Sequence, residues 1–392
     1  MQDWNRGRGG AEAYALWLRE ALRAAGDDVR LLTSSAGTAG DGTADYIAHG
    51  TEKSAAQTFL QIVNPFAVST VRRAVTEFRP EVIWVNMFAH HLSAAAVFAL
   101  GDAPKILAVS DYKVICPLGS KLLPDRSLCQ AQSGWVCHRS GCLSLPHWLR
   151  DQPRYALIRS GTGRFHRVLA CSGWVQRELA AAGIESEIIM LPVPAPSSHF
   201  ERQPAPDPTI LYCGRLDQTK GVDLLLRAFG RLSAEFPAAH LRIAGAGSER
   251  PDLERLAGSL GPANIEFLGW LNQQEIEHEL SGAWASVVPS VWAEPQGLVA
   301  LEAIVRQVPV IASSAGGLGE IVKNGESGLL FRNDDEQGLL DCLRGIVSGS
   351  AFPNHILEEE VVHGAAAEFS IERHTMRLRH VFSTAIQNHA AQ

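Results

Sequence analysis

At 392 residues the chain is long enough for two domains, and a 46% hydrophobic share is enough to give each a core. No apolar run approaches the roughly 18 residues of a spanning helix, and the opening MQDWNRGRGG lacks the apolar centre of a secretory signal, so a cytoplasmic protein is expected. Residues 1–200 hold 20 Lys+Arg against 17 Asp+Glu, whereas the whole chain carries a net −7, so a basic half adjoins an acidic one and a partner such as nucleic acid is excluded over the whole surface.

Gly9 and Gly10 precede a predicted helix over 11–25, in which Tyr14, Trp17, Leu18, Ala21, Leu22 and Ala25 recur at helical spacing before Gly26 ends it. A glycine pair at a helix start bares N–H groups to an anion, although such a pair more often makes a plain turn. In a doubly wound sheet that turn should follow the first central strand, yet only MQDWNRGRG stands before it. Either the true start lies upstream or the sheet has lost a strand, so the first N-terminal strand is expected to be missing here. A strand at 29–33, a Gly/Thr/Asp-rich loop at 34–43, a helix at 65–78 and apolar runs at 82–86 and 105–109 follow. With a helix between the last two, this alternation predicts a parallel sheet. His90 and His91 lie in the loop after the first run, and Ser110 and Asp111 close the second.

Cys116, Cys129, Cys137 and Cys142 then fall within one insertion-like segment. Clustered thiols in a cytoplasmic chain suit a structural tetrahedral zinc, but without paired C-x2-C knuckles they equally read as free or disulfide-capable thiols. Seven arginines between 139 and 177 face the single acid Asp151, with Trp135, Trp148 and Trp174 among or beside them. Such a mixture suits peripheral contact with an anionic membrane, at the inner face of the plasma membrane; its plainer reading is a solvated helix face.

Six prolines between 190 and 208 predict an interdomain linker, dividing residues 1–199 from 200–370, with a terminal helix over 371–392 returning to the first domain. The second domain opens with a strand at 210–214 that turns through RLDQTKG into a helix from 222, with Arg215 and Lys220 straddling the helix start. Strands at 242–244 and 265–269 and a last one at 328–331 are expected, before a helix over 334–347.

The chain is organised around VPSVWAEPQGLVALEAIVRQVPVIASSAGGLGE, residues 288–320. A buried strand runs into a loop bearing Glu294, then a helix bearing Glu302, then a second apolar strand and a glycine turn. Gln296, Gly297 and Leu298 should offer the bare N–H groups of a helix start, where oxygen-rich ligands collect. Glu294 alone reads as a loop residue and Glu302 as a surface partner of Arg306 four residues on. On a helical wheel, however, Glu302 borders the arc of Leu298, Leu301 and Val305, where an unpaired carboxylate is unfavourable, so something polar should face it.

EPQGLVALE with the trailing GGLGE resembles the E-x7-E motif of retaining glycosyltransferases of family 4, including a subset with a cysteine-bearing loop, and the GG-Ala-Glu at 9–12 resembles that family's first helix opening. The resemblance implies a GT-B fold of two Rossmann-like α/β domains facing a cleft. It further implies a nucleotide diphosphate sugar as donor, with a glycan or lipid-linked acceptor. By the same likeness Glu294 holds the donor sugar and Glu302 the ribose. Arg215 and Lys220 take the phosphates, Gly9 and Gly10 face the diphosphate, Gly214 belongs to the donor-binding set, and Phe267 or Leu268 borders the base. It implies transfer chemistry that requires no cofactor. Many members read His-Asp-Tyr where this chain reads Ser110-Asp111-Tyr112, and serine does not titrate near neutrality; His90 or His91 could substitute, although their plainer reading is as exposed loop histidines.

Overall fold

The computed structural model describes residues 1–2, 10–36, 44–50, 59–89, 91–261 and 263–391. Contacts divide it into one unit of Met1–Pro124, Cys129–Pro192 and Ile371–Gln392 and another of Asp125–Leu128 and Val193–Ser370.

In the first unit β3 (Ile83–Val85), β4 (Lys105–Val109), β5 (Arg167–Ala170) and β6 (Glu187–Ile188) form a parallel sheet in that order, and β1 (Leu32–Ser34) pairs in parallel with β2 (Tyr46–Ala48). β4 is buried at all five positions, as its unbroken apolar run requires of a central parallel strand. Residues 1–2 lie between the two ladders. Gln2 N donates to Leu32 O at 3.0 Å, and Met1 O accepts from Asn86 N at 3.0 Å.

The strand expected at 29–33 begins at Leu32 instead, because the backbone of Leu31 is taken by Asp45: Leu31 N donates to its Oδ2 at 2.7 Å and Leu31 O accepts from its N at 2.9 Å. Asn64 caps the helix Pro65–Phe78 by accepting from Ala67 N at 3.0 Å, while its amide donates to His91 O at 2.7 Å. One side chain thus starts a helix and fixes the loop after β3.

The second unit is a six-stranded parallel sheet in the order β12-β11-β10-β7-β8-β9, formed by β7 (Thr209–Cys213), β8 (His240–Ala244), β9 (Asn264–Gly269), β10 (Ala285–Val288), β11 (Val310–Ser313) and β12 (Gly328–Phe331). Its core joins Ile210, Leu241, Val287 and Ile311 of the sheet to Leu225, Phe229 and Leu232 of the helix Val222–Glu235. Because every strand runs the same way, the loops after β7, β10 and β11 emerge on one edge.

The proline-rich stretch 193–208 is not a free linker. Val193 N donates to Phe369 O, Gln203 N to Ser281 O and Ala205 N to Gly282 O, and the Arg202 guanidinium reaches the carbonyls of Leu280, Ala283 and His355. Prolines supply none of these donors, so the residues between them pin the segment to the second unit. The terminal helix Ile371–Ala390 belongs to the first unit, where Tyr14 Oη and His374 Nε2 stand 2.8 Å apart.

Candidate active site

The loop after β7 is shaped by its own polar groups. Tyr212 Oη donates to Arg215 O at 2.7 Å, and Asp217 caps the short turn Gln218–Lys220 by accepting from the backbone and hydroxyl of Thr219. Gly221, at φ 65°, ends this loop and opens the helix Val222–Glu235; a Cβ there would overlap the carbonyl oxygen of Pro289. Val291 N donates to Thr219 O at 2.9 Å, so the loops after β7 and β10 are stitched together.

That stitching brings Lys220 to Glu294. Lys220 Nζ lies 2.6 Å from Glu294 Oε1 and 5.1 Å from the centroid of the Trp292 ring, and Ser290 Oγ donates to the same carboxylate oxygen at 2.6 Å. Ser290 is held in turn by Ser313, whose hydroxyl donates to Ser290 O at 2.7 Å. The backbone of Glu294 bridges to Gly316 and accepts from Gly317 N at 2.7 Å, and a Cβ on Gly316 would overlap the Glu294 carbonyl oxygen. Gly297, at φ 93°, then opens the helix Leu298–Ile304 that carries Glu302.

The two carboxylates are electrostatically unlike. Burial pushes the Glu294 carboxyl up, but the Lys220 ammonium, with help from Ser290 and Trp292, more than offsets it and leaves the group below its ordinary range. For Glu302 burial also pushes upward, and Arg306 offsets it only in part, so this carboxyl lies above its ordinary range. The expected surface pair Glu302–Arg306 does not form. Arg306 is fully buried, its guanidinium lies 2.7 Å from Glu277 Oε1, and it reaches only the backbone oxygen of Glu302, at 3.1 Å. A guanidinium with no water needs a full ionic partner, and Glu277 supplies it.

Of the other residues singled out from sequence, Arg215 is exposed and pairs with Asp217 at 2.8 Å, while Gln296 is buried and Gly297 and Leu298 are half-buried beside Glu294. Gly214 follows β7, and a Cβ there would crowd Tyr212 Oη. Phe267 and Leu268 are half-buried on β9 at the far side of the sheet, three strand spacings or about 14 Å from β10. Gly10 is exposed at the start of the helix Gly10–Ala24; Gly9 and His90 lie outside the described residues. His91 is buried, not an exposed loop histidine. Ser110 and Asp111 follow β4, and Asp111 Oδ1 accepts from Lys113 N at 2.9 Å. Burial and the neighbouring thiols Cys116 and Cys129 together raise Cys137 and Cys142 above the ordinary thiol range. Among the described residues, however, no group of three or more His, Cys, Asp or Glu is arranged to hold a metal ion, so the zinc expectation rests on spacing alone.

Sequence reasoning singled out neither Ser290 nor Trp292, which stand inside the central motif beside Glu294 and Lys220. A serine four residues before a loop glutamate carries no periodic signal. The one available clue was an indole flanked by small residues just past a buried strand.

Residues 9–194 match the family described as glycosyl transferase 4-like domain, and residues 197–359 match glycosyl transferases group 1. Among curated relatives, a D-inositol 3-phosphate glycosyltransferase of Nocardioides is 34% identical over 164 residues, 38% of this chain and 35% of that protein. A glycogen synthase of Mycobacterium tuberculosis is 38% identical over 152 residues, 38% of this chain and 36% of that protein. The chain thus spans about a third of the length of these relatives. Among solved structures, a sucrose-phosphate synthase of Thermosynechococcus elongatus aligns with TM-score 0.75 at 21% identity, covering 100% of this chain and 96% of that one. Anabaena HepE in complex with UDP aligns with TM-score 0.72 at 17% identity, covering 98% of both chains. The fold is that of these proteins, GT-B, with two Rossmann-like domains built on parallel sheets.

Proposed function

We propose that this chain, a glycosyl transferase 4-like domain followed by a glycosyl transferases group 1 domain, is a retaining glycosyltransferase. It would move a hexose from a nucleotide diphosphate sugar to a glycan or lipid-linked acceptor, in the synthesis of a cell-surface polysaccharide or glycoconjugate. The observation that carries this reading is the Lys220–Glu294 pair, buried beside Ser290 where the loops after β7 and β10 meet.

In the proposed reaction the bond from the anomeric carbon to the diphosphate breaks. Lys220 and Arg215 stabilise the charge growing on the departing oxygens. The acceptor oxygen bonds to the anomeric carbon on the face the diphosphate leaves, and its proton passes to a diphosphate oxygen. Glu294, kept ionised by its neighbours, accepts hydrogen bonds from the sugar hydroxyls. Glu302, whose carboxylate is not engaged by Arg306, is free to accept from a ribose. The N–H groups beside Gly297 add positive potential where negative charge builds.

The test is turnover of radiolabelled UDP-, GDP- and ADP-sugars, with the product anomer read by NMR. Glu294→Ala and Lys220→Ala should each lower kcat/KM by about 100-fold or more, the scale of losing one charged contact to a transition state. An inverted product would overturn retention. A second reading, a nucleotide-sugar-binding protein without turnover, is favoured by Ser110, which supplies no titratable ring; donor binding with no transfer to any acceptor would establish it.

A further inference from the structure

The helix Leu145–Thr162 of the first unit is apolar on both sides. Tyr155 and Ile158 are buried on its inner face, yet the outer face carries Leu145 at 42% and Leu149 at 57% exposure, one turn apart, continued by exposed Pro153, Ala156 and Ser160. A surface helix ordinarily turns a charged face to water. Trp135 stands beside the first turn of this helix. It is 49% exposed and held edge-on against Trp148, with ring centroids 5.0 Å apart and planes at 85°, and Trp148 is fixed by donating to Gly134 O at 2.8 Å.

Charge is arranged on both sides of the strip. At 100° per residue, Arg150 stands roughly 100° to one side of Leu149 and Arg159 roughly 80° to the other. Both are exposed, as is Arg139 near the tryptophans. Asp151, the single acid between 139 and 177, is already paired with Arg150 at 2.9 Å.

We propose that this face is a docking surface for a bilayer bearing anionic phospholipids, on which the helix lies parallel to the membrane plane. The order of groups across it, arginine, hydrocarbon, arginine, with an indole at one end, matches the chemistry of a bilayer interface: phosphates meet the guanidiniums, acyl chains meet the leucines, and the indole sits at the boundary. No described helix is long and apolar enough to cross a membrane, so the contact is made along the surface. The surface stands independently of the transfer reading, although it would bring a lipid-linked acceptor within reach.

Sedimentation of the full chain with vesicles tests it, without any sugar nucleotide. The protein should partition to vesicles of phosphatidylcholine with phosphatidylglycerol, release with added salt, and bind vesicles of phosphatidylcholine alone far more weakly. Arg139→Gln, Arg150→Gln and Arg159→Gln should each weaken partition roughly fivefold, and Leu149→Ser about tenfold. All four side chains are exposed, and unchanged circular dichroism will show the folds intact. Glu294→Ala should lose transfer and keep vesicle binding, which separates failure of this proposal from failure of the enzymatic one. Wild-type protein left in the supernatant with anionic vesicles at low salt overturns the proposal. So do variants that bind as well as wild type, or a lipid-free dimer that Leu149→Ser converts to monomer, which would assign the face to a second copy of the chain.

Discussion

Each unit buries a small polar constellation, and the two are built on opposite electrostatic plans. In the second unit Lys220, Glu294 and Ser290 form one ionised group and Arg306 and Glu277 form another. In the first unit Tyr14, His374 and Met190 form a neutral relay: His374 Nδ1 stands 2.9 Å from Met190 O, which can only accept, so Nδ1 carries the hydrogen and Nε2 accepts from Tyr14 Oη at 2.8 Å. In the proposed reaction the ionised group around Glu294 places fixed charge where the donor's charge would be handled. The neutral relay joins the first helix of its unit to the last, and its groups stay uncharged: burial lowers His374 to about 4 and raises Tyr14 well above its ordinary value.

The contrast breaks most visibly at Arg306. Arg306→Ala leaves Glu277 buried without its cation and should lower stability by about 3–5 kcal/mol in urea denaturation. Replacing both partners by leucine should restore most of that loss. A single-variant effect below about 1 kcal/mol would show that the pair is not the ionic partnership described.

Next in size is the acid response of the relay. An unfolded His374 takes up a proton near pH 6.5, whereas the folded one does so only near 4. The unfolded chain therefore binds more protons throughout that window, and stability falls as pH drops from 6.5 to 4, then levels off. At ~1.4 kcal/mol per pH unit the loss approaches about 3 kcal/mol. His374→Gln should flatten the slope of unfolding midpoint against pH; an unchanged slope would place the sensitivity elsewhere. Glu294, held below its ordinary range, contributes stability that is lost as pH falls below that ordinary range. Acid should therefore loosen the first unit before the second.

The smallest effect concerns Glu302. Its carboxyl is raised, so the folded chain holds that proton better than the unfolded one, and above the folded value the buried charge detracts from stability. Glu302→Gln should add up to about 1 kcal/mol at neutral pH while raising the donor KM, and the gain should vanish as pH falls through the folded value. A variant that is less stable at pH 7.5 would mean that the carboxylate has an ionic partner after all.

Much of the second unit was legible because its signals are local. Strand, loop and helix succeed one another within 288–320, and the spacing of Glu294 from Glu302 is set inside a single loop and helix. Lys220 could be placed near a ligand by its position before a helix, but its salt bridge to Glu294 spans 74 residues and follows from how two loops are stitched. The Tyr14–His374 contact spans 360 residues and left no pattern in either helix, since a buried histidine occupies a wheel position as a leucine would. The three residues of β2 were too few for alternation to register, and prolines signal stiffness without saying what their neighbours grip. The partner of Arg306 was misassigned for a related reason: sequence shows the acid four residues back on the same helix, whereas burial selects the one on the helix Gln273–Gly282.

At Gly221 and Gly316 main chain rests directly on main chain, with no room for even a methyl group between neighbouring loops. The mould around Glu294 is consequently cast in peptide rather than in side chains. Lineages or engineers can redecorate its rim without altering its outline, but one added carbon at either point should pry the loops apart and displace the carboxylate while the sheet beneath stays whole.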